Sequence, residues 1–264
     1  KTSFKKRYFE GGSRLKSKFI KKPLITLITV TFNSEKYLSK TIKSINNQKF
    51  KNFEYIIVDG GSTDKTIKII KKNEKKIDYW VSENDEGIYD AFNKGLSLSK
   101  GKYIGFVNSD DVLKKNALVY LNKYINKYSY LDFFFGSVQK HWGLLHGFKP
   151  WKIYFSWGFY TSHSTGFYIK RDSAKKLGFY DTQFKYSSDF DYFYRMIVKH
   201  KMKGMASKKN EVFGVFRRGG FSSKVNFLDH LIEDSNIRIK NGQNKILVGM
   251  ILIYKVIKNI NRLK

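Results

Sequence analysis

Apolar residues run unbroken through "LITLITVTF" (Leu24 to Phe32), where β-branched side chains bounded by Pro23 and Asn33 predict a strand buried on both faces. Leu38, Ile42 and Ile45 then recur at helical spacing within 35–48. The alternation continues: "FEYIIVDG" predicts a strand, 64–72 a helix, "IDYWVSE" a strand, 88–99 a helix and "YIGFVN" a strand. Strand and helix repeated at this interval predict a doubly wound, mostly parallel α/β sheet with helices on both faces. From residue 129 the pattern loosens into the aromatic-rich segments "YLDFFFGSV" and "WKIYFSWGFY". A helix over "SSDFDYFYRMIVKH" and two basic helices close the chain.

Sheets of this kind bind ligands at the carboxyl ends of their strands. Here those ends read "TFNS", "VDGGSTD", "SENDEG" and "NSDD", all rich in carboxylate, amide, hydroxyl and glycine. Any one of them is an ordinary turn or helix cap; four on one edge mark a site. In "VDGGSTDKT", Asp59 ends a strand and can accept hydrogen bonds from a base edge or a ribose, while Ser62 and Asp64 are read as caps. The segment is neither a G-x-x-x-x-G-K-[ST] loop nor a G-x-G-x-x-G fingerprint, which removes the main support for a nucleoside triphosphatase or a dehydrogenase.

In "NSDD", Asp110 and Asp111 repel each other unless a cation, a basic neighbour or solvent compensates them. Asn108 and Asp110, two residues apart, can reach toward one cation, and hard oxygen donors select Mg²⁺ or Mn²⁺. In "SSDFDYFYR", Asp189 lies in the first turn of a helix and fits a general base. Asp189 and Asp191 cannot share a helix face, so the other acid is solvated or paired, for example with Arg195 at i+4.

Charge adds partners to this picture. The chain holds 51 Lys or Arg against 22 Asp or Glu, a net charge of +29, concentrated at its ends. Residues 1–22 carry nine basic residues and one acid, Glu10, and no acid follows Asp234. Such ends suit lipid headgroups, nucleic acid or a phosphorylated substrate. Within 244–261, Ile246, Met250, Ile253, Ile257 and Ile260 recur at helical spacing, which suits either an interfacial helix on an anionic membrane or a terminal helix packed on the core. The longest apolar run, "ILVGMILIY", has nine residues, too short to cross a bilayer, and the basic start has no apolar core of the kind a signal peptide needs. The chain lacks cysteine, so disulfides and thiolate metal sites are excluded. A nucleic-acid-binding reading is weakened by the acidic strand ends, and a nucleotidyltransferase reading by the missing N-terminal glycine-rich loop.

Four segments, "ITVTFNSEKYLSKTIKSINNQ", "YIIVDGGSTDKT", "DEGIYDAFNKGLSLSKGKYIGFVNSDD" and "HSTGFYIKR … SSDFDYFYR", together resemble the family 2 inverting glycosyltransferases of the GT-A fold. The likeness runs from about Leu24 to about Ser223 and is greatest to small bacterial capsule and O-antigen enzymes. It implies a basic extension at 1–22, a catalytic domain at 23–223 with a nucleotide-binding half at about 23–111 and an acceptor half at about 112–223, and basic C-terminal helices at 224–264. By residue, it implies Thr31 and Asn33 on the nucleotide, Asp59 on uracil, and Asp90, Asn93 and Lys94 along the ribose and donor sugar. Asn108 and Asp110 occupy the place of the metal-binding D-x-D motif, with Asp110 the direct ligand of Mn²⁺ or Mg²⁺. Asp189 falls on the base, and His163, Asp191, Arg217 and Arg218 are candidates for acceptor or diphosphate contacts.

Three positions depart from the family pattern: Asn108 for the first acid of D-x-D, Ser188 beside Asp189 where a pair of acids is common, and Phe92 where arginine is common. No Q-x-x-R-W motif occurs, which implies transfer of one sugar per encounter. The implied partners are a UDP-linked sugar, a glycan or lipid-linked acceptor and an anionic membrane, with no nucleic acid. The implied place is the cytoplasmic face of the cell membrane, in surface polysaccharide synthesis.

Overall fold

The computed structural model describes residues 9–16, 22–155, 165–217, 219 and 226–260. Strand β1 (Phe9–Gly11) and helix α1 (Ser13–Lys16) precede the predicted alternation of β2 (Ile25–Thr31), α2 (Leu38–Asn46), β3 (Phe53–Asp59), α3 (Thr66–Lys72), β4 (Tyr79–Ser82), α4 (Ile88–Leu98) and β5 (Tyr103–Phe106). Then follow β6 (Val112–Leu113), α5 (Ala117–Lys127), β7 (Phe133–Phe135), β8 (Ser137–Lys140), β9 (Gly143–Leu145), β10 (Phe167–Lys170), α6 (Arg171–Leu177) and α7 (Ser188–Tyr194). Strands β11 (Gly204–Ala206) and β12 (Val212–Val215) and helices α8 (Phe227–Lys240) and α9 (Lys245–Lys258) complete the order.

Among the described residues the main sheet has eight strands in the order β1-β4-β3-β2-β5-β10-β7-β11. Its centre, β4-β3-β2-β5, is parallel, and β10 runs antiparallel to both β5 and β7. Every residue of β2 and β3 is buried, as their unbroken apolar runs require. Alternate residues feed two cores. Ile28, Val30, Ile56 and Val58 pack on one face with α4 and α7, and Ile25, Leu27, Tyr55 and Ile57 on the other with α2 and α5. The two expected halves therefore share one sheet. A second, four-stranded sheet among the described residues, β6-β12-β8-β9, begins directly after Asp111.

Within the expected basic extension at 1–22, residues 9–16 pack as part of the body. Strand β1 pairs antiparallel with β4, and Arg14 reaches Leu98 O (2.9 Å) and lies 3.8 Å from the Glu54 carboxylate. Glu54 is buried inside β3 and also accepts from Thr26 Oγ1 (2.6 Å), so a nearby cation offsets the cost of its burial.

The C-terminal helices are anchored by Arg238, which is fully buried and donates to Asp234 Oδ2 (3.2 Å) and to Ile153 O (3.0 Å) and Tyr154 O (2.7 Å). Lys255 of α9 joins the same Asp234 oxygen at 2.6 Å; burial nevertheless pushes its ammonium below the usual lysine value, against the pull of Asp234. The predicted single helix over 187–200 is α7 followed by a π turn, Arg195–Lys199. No helix among the described residues is long and apolar enough to cross a membrane.

Candidate active site

The four polar strand ends meet. Asn33, in left-handed conformation with φ 46°, turns its Oδ1 to the Thr63 N–H (2.9 Å), and Ser34 Oγ touches Ser109 Oγ at 2.8 Å. Ser82 at the end of β4 donates to Asp59 at the end of β3 (2.7 Å). Two buried side-chain oxygens on this edge, Thr31 Oγ1 and Asn108 Oδ1, have no hydrogen-bond partner among the described residues. Buried polar atoms are nearly always satisfied, so an orphaned pair at adjacent strand ends marks a place for a ligand.

Asp59 is fully buried and accepts from the N–H groups of Gly61 (3.0 Å) and Ser62 (2.9 Å) and from the Ser62 and Ser82 hydroxyls (2.5 and 2.7 Å). Its carboxylate thus shapes its own loop. The neighbouring glycines admit side chains of the β4 loop: a Cβ on Gly60 would overlap the Asp85 carboxylate, and one on Gly61 would overlap Asn84 Oδ1. Gly61 also has φ 84°, so Gly61→Ala is expected to cost about 1–3 kcal/mol. Urea unfolding checks this, and an unchanged midpoint would contradict it.

The adjacent acids of "NSDD" separate into two roles. Asp111 is buried, with Oδ2 accepting from Thr165 Oγ1 (2.7 Å) and Oδ1 from the Arg217 N–H (3.2 Å). Asp110 is half-buried, and burial pushes its carboxyl above the usual range, with its own N–H acting against that. No group of three or more His, Cys, Asp or Glu able to hold a metal occurs among the described residues. A divalent cation here would therefore rest on Asp110 and the orphaned Asn108 Oδ1, with water and phosphate oxygens completing its shell. That donor set fits Mg²⁺ or Mn²⁺.

Asp189, half-buried in the first turn of α7, has one carboxylate oxygen fixed. Oδ1 accepts from the Phe190 N–H (2.9 Å) and lies 3.2 Å from the Tyr89 hydroxyl, while Oδ2 has no partner among the described residues. One bare oxygen on a positioned carboxylate is what proton abstraction requires.

Other expected site residues are placed differently. Asp191 does not reach the cleft: it is buried, its Oδ2 accepts from Arg195 Nε and its Oδ1 from Asn241 Nδ2, both at 2.8 Å. Asn93 spends both ends of its amide on the Tyr180 backbone, at 2.8 Å each. Lys94 is buried between Glu83 and Asp90, 3.1 Å from each, and donates to Asn84 O (3.0 Å). Asn93 and Lys94 are thus engaged within the protein, and Asp90 is paired with Lys94. The Arg217 guanidinium sits over Tyr37, 3.4 Å from the ring centre, and the Arg217 backbone N–H reaches Asp111 (3.2 Å). His163 and Arg218 lie outside the described residues.

Two residues stand here that carry no signature in the chain. Lys140, at the end of β8, sits over Phe216 (4.4 Å) and near Trp142 (5.9 Å). Burial pushes its ammonium below the usual lysine value, while the charges of Asp111 and Asp189 act in the opposite sense. Asp85, beside Gly60, is also raised by burial, against the Gly87 N–H and Lys94. One lysine among so many has no pattern to find, and Asp85 reads as one more turn residue.

Comparison with known proteins places this edge in context. A family model described as Glycosyl transferase family 2 matches residues 26–196. An uncharacterized glycosyltransferase of Methanocaldococcus jannaschii is 33% identical over 191 residues, 67% of this chain and 66% of that protein. The chain thus spans just under two thirds of that relative, and it spans 40% or less of several others. Among solved structures, S. aureus TarS 1–349 in complex with UDP-GlcNAc superposes with a TM-score of 0.66 at 19% identity, over 86% of this chain and 70% of that one. Mannosyltransferase PcManGT from Pyrobaculum calidifontis, in complex with GDP-Man and Mn²⁺, gives 0.62 at 17%, over 89% and 69%. These likenesses show the shared GT-A fold. With that fold and a family match running from β2 through α7, the chain belongs to glycosyl transferase family 2.

Proposed function

We propose that the chain transfers a single sugar from a UDP-linked donor to a hydroxyl of a glycan or lipid-linked acceptor, inverting the anomeric centre. The observation that carries the reading is the polar edge itself. Among the described residues, Thr31 Oγ1 and Asn108 Oδ1 are buried without hydrogen-bond partners, and Asp189 keeps one carboxylate oxygen bare. In the reaction the acceptor oxygen bonds to the anomeric carbon as the bond to the diphosphate oxygen breaks. The electron pair leaves with the diphosphate, and the acceptor proton passes to Asp189 Oδ2. Lys140 and Arg217, both close to Asp111, supply positive charge for the leaving diphosphate. Mg²⁺ or Mn²⁺ on Asp110 and Asn108, when bound, supplies further charge compensation for that group.

The test is release of UDP across a panel of UDP-sugars, with and without chelator. Slow hydrolysis of one donor, lost on chelation, supports the reading; no release and no UDP binding would overturn it. The resemblance to capsule and O-antigen enzymes supports an acceptor in surface polysaccharide synthesis.

A lipid-linked acceptor would place the enzyme at a membrane, and α9 has a face suited to one. Val248 and Ile251 are buried, whereas Ile246, Met250, Ile253, Tyr254, Ile257 and Ile260 are 56% to 75% exposed along a single stripe. A second copy would bring the same excess of positive charge face to face, so anionic lipid is the better complement. Wild-type chain is expected to sediment with phosphatidylglycerol vesicles, and the double variant Ile253→Glu, Ile257→Glu to stay in solution. Equal sedimentation of the two would remove the helix face from the reading.

A further inference from the structure

The turn that carries Asp189 is held from a helix outside the family match. Three successive backbone N–H groups, those of Lys185, Tyr186 and Ser187, converge on the Glu233 carboxylate of α8. Oε1 accepts from Lys185 (2.7 Å), and Oε2 accepts from Tyr186 (2.9 Å) and Ser187 (2.8 Å). One turn earlier on α8, His230 Nδ1 lies 3.2 Å from Ser187 Oγ, and just beyond the helix Asn241 donates to Asp191 (2.8 Å). From the opposite side, α4 supplies Tyr89, whose hydroxyl lies 3.0 Å from Tyr186 O and 3.2 Å from Asp189 Oδ1 and shares its single proton between them.

We infer that Glu233 is a positioning residue for the base: the C-terminal helix α8 sets the path of 185–187 and thereby the direction in which Asp189 Oδ2 points. The inference rests on the reading of Asp189 as the base. Without Glu233, three N–H groups lose a charged acceptor at once, and the chain entering α7 is left to weaker contacts such as those of Tyr89 and His230. A displacement of about 1 Å in a reacting group costs on the order of 100-fold in rate. Since the three N–H groups held by Glu233 stand just ahead of Asp189 and none belongs to β2 or β5, the loss should fall on turnover and leave nucleotide binding in place.

The test compares wild type, Glu233→Ala, Glu233→Gln and Asp189→Asn as full chains. Hydrogen exchange is read at the amides of 185–187, UDP affinity by calorimetry, and kcat and donor KM on the UDP-sugar turned over. Glu233→Ala is expected to lose protection at 185–187 while β2 and β3 keep theirs, and to lose roughly 100-fold in kcat with KM and UDP affinity unchanged. Glu233→Gln, which keeps one carbonyl oxygen, falls between and replaces it should the alanine variant fail to fold. Unchanged protection, unchanged kcat, or a parallel loss of kcat, UDP affinity and protection in β2 and β3 would each overturn the inference. Should Asp189→Asn be inactive while Glu233→Ala is fully active, only the role of Glu233 falls; should Asp189→Asn turn over normally, the assignment of the base falls with it.

Discussion

Asp189→Asn is expected to lower kcat by roughly 1000-fold while leaving UDP affinity unchanged. The amide matches the carboxylate in shape, and its oxygen can still accept from the Phe190 N–H, so α7 should keep its first turn. What is lost is the oxygen at Oδ2, the one atom of the group with no partner among the described residues, and an amide nitrogen there cannot take a proton. The neighbouring acid cannot substitute, because Asp191 is buried against Arg195 and Asn241. Steady-state kinetics with calorimetry checks the split, and a variant that turns over near the wild-type rate would rule out this base.

Asp110→Asn is expected to act on activity and stability in opposite directions. Transfer falls by at least roughly 100-fold and no longer responds to Mg²⁺ or Mn²⁺, since a charged ligand has been exchanged for a neutral one beside the already neutral Asn108. Stability at neutral pH rises. Burial holds the Asp110 carboxyl above the usual range, so the folded state binds its proton more tightly than the unfolded state does. The stability tied to that proton is fully present below the usual carboxylate range and is lost as pH rises through the raised value. Above that raised value the wild type therefore carries an ionised, partly desolvated carboxylate that asparagine avoids. Thermal unfolding should show a higher Tm for the variant at neutral pH, with the gap closing in mild acid; a lower Tm at neutral pH would contradict this account of Asp110.

The parallel centre of the sheet could be read from the chain because β2 to β5 are apolar runs alternating with helical periodicity, a pattern set locally. Strands β7, β8 and β9 could not, since each has only three or four residues, too few to show a period: β7 is "FFF", β8 "SVQK" and β9 "GLL". Strand β1 is "FEG", with no pattern of its own, and exists because the edge of β4 was open to it. The same limit governs the site. Asp110 and Asp189 are conspicuous as acids closing an apolar run or opening a helix. The pairing of Asp191 with Arg195 at i+4 was legible, but the Tyr180 backbone that occupies Asn93 lies 87 residues away and the Asn241 that joins Asp191 lies 50 away, so those contacts are visible only in three dimensions. Glu233 looks like any acid on an amphipathic helix until three N–H groups are seen to meet it.

The central claim is a single displacement with one carboxylate as base, and the anomeric configuration of the released or transferred sugar tests it most directly. Proton NMR of the earliest product from an α-linked UDP-sugar, read before mutarotation equilibrates, should show the β anomer from the wild type and none from Asp189→Asn. An α product would require a second displacement and contradict the account.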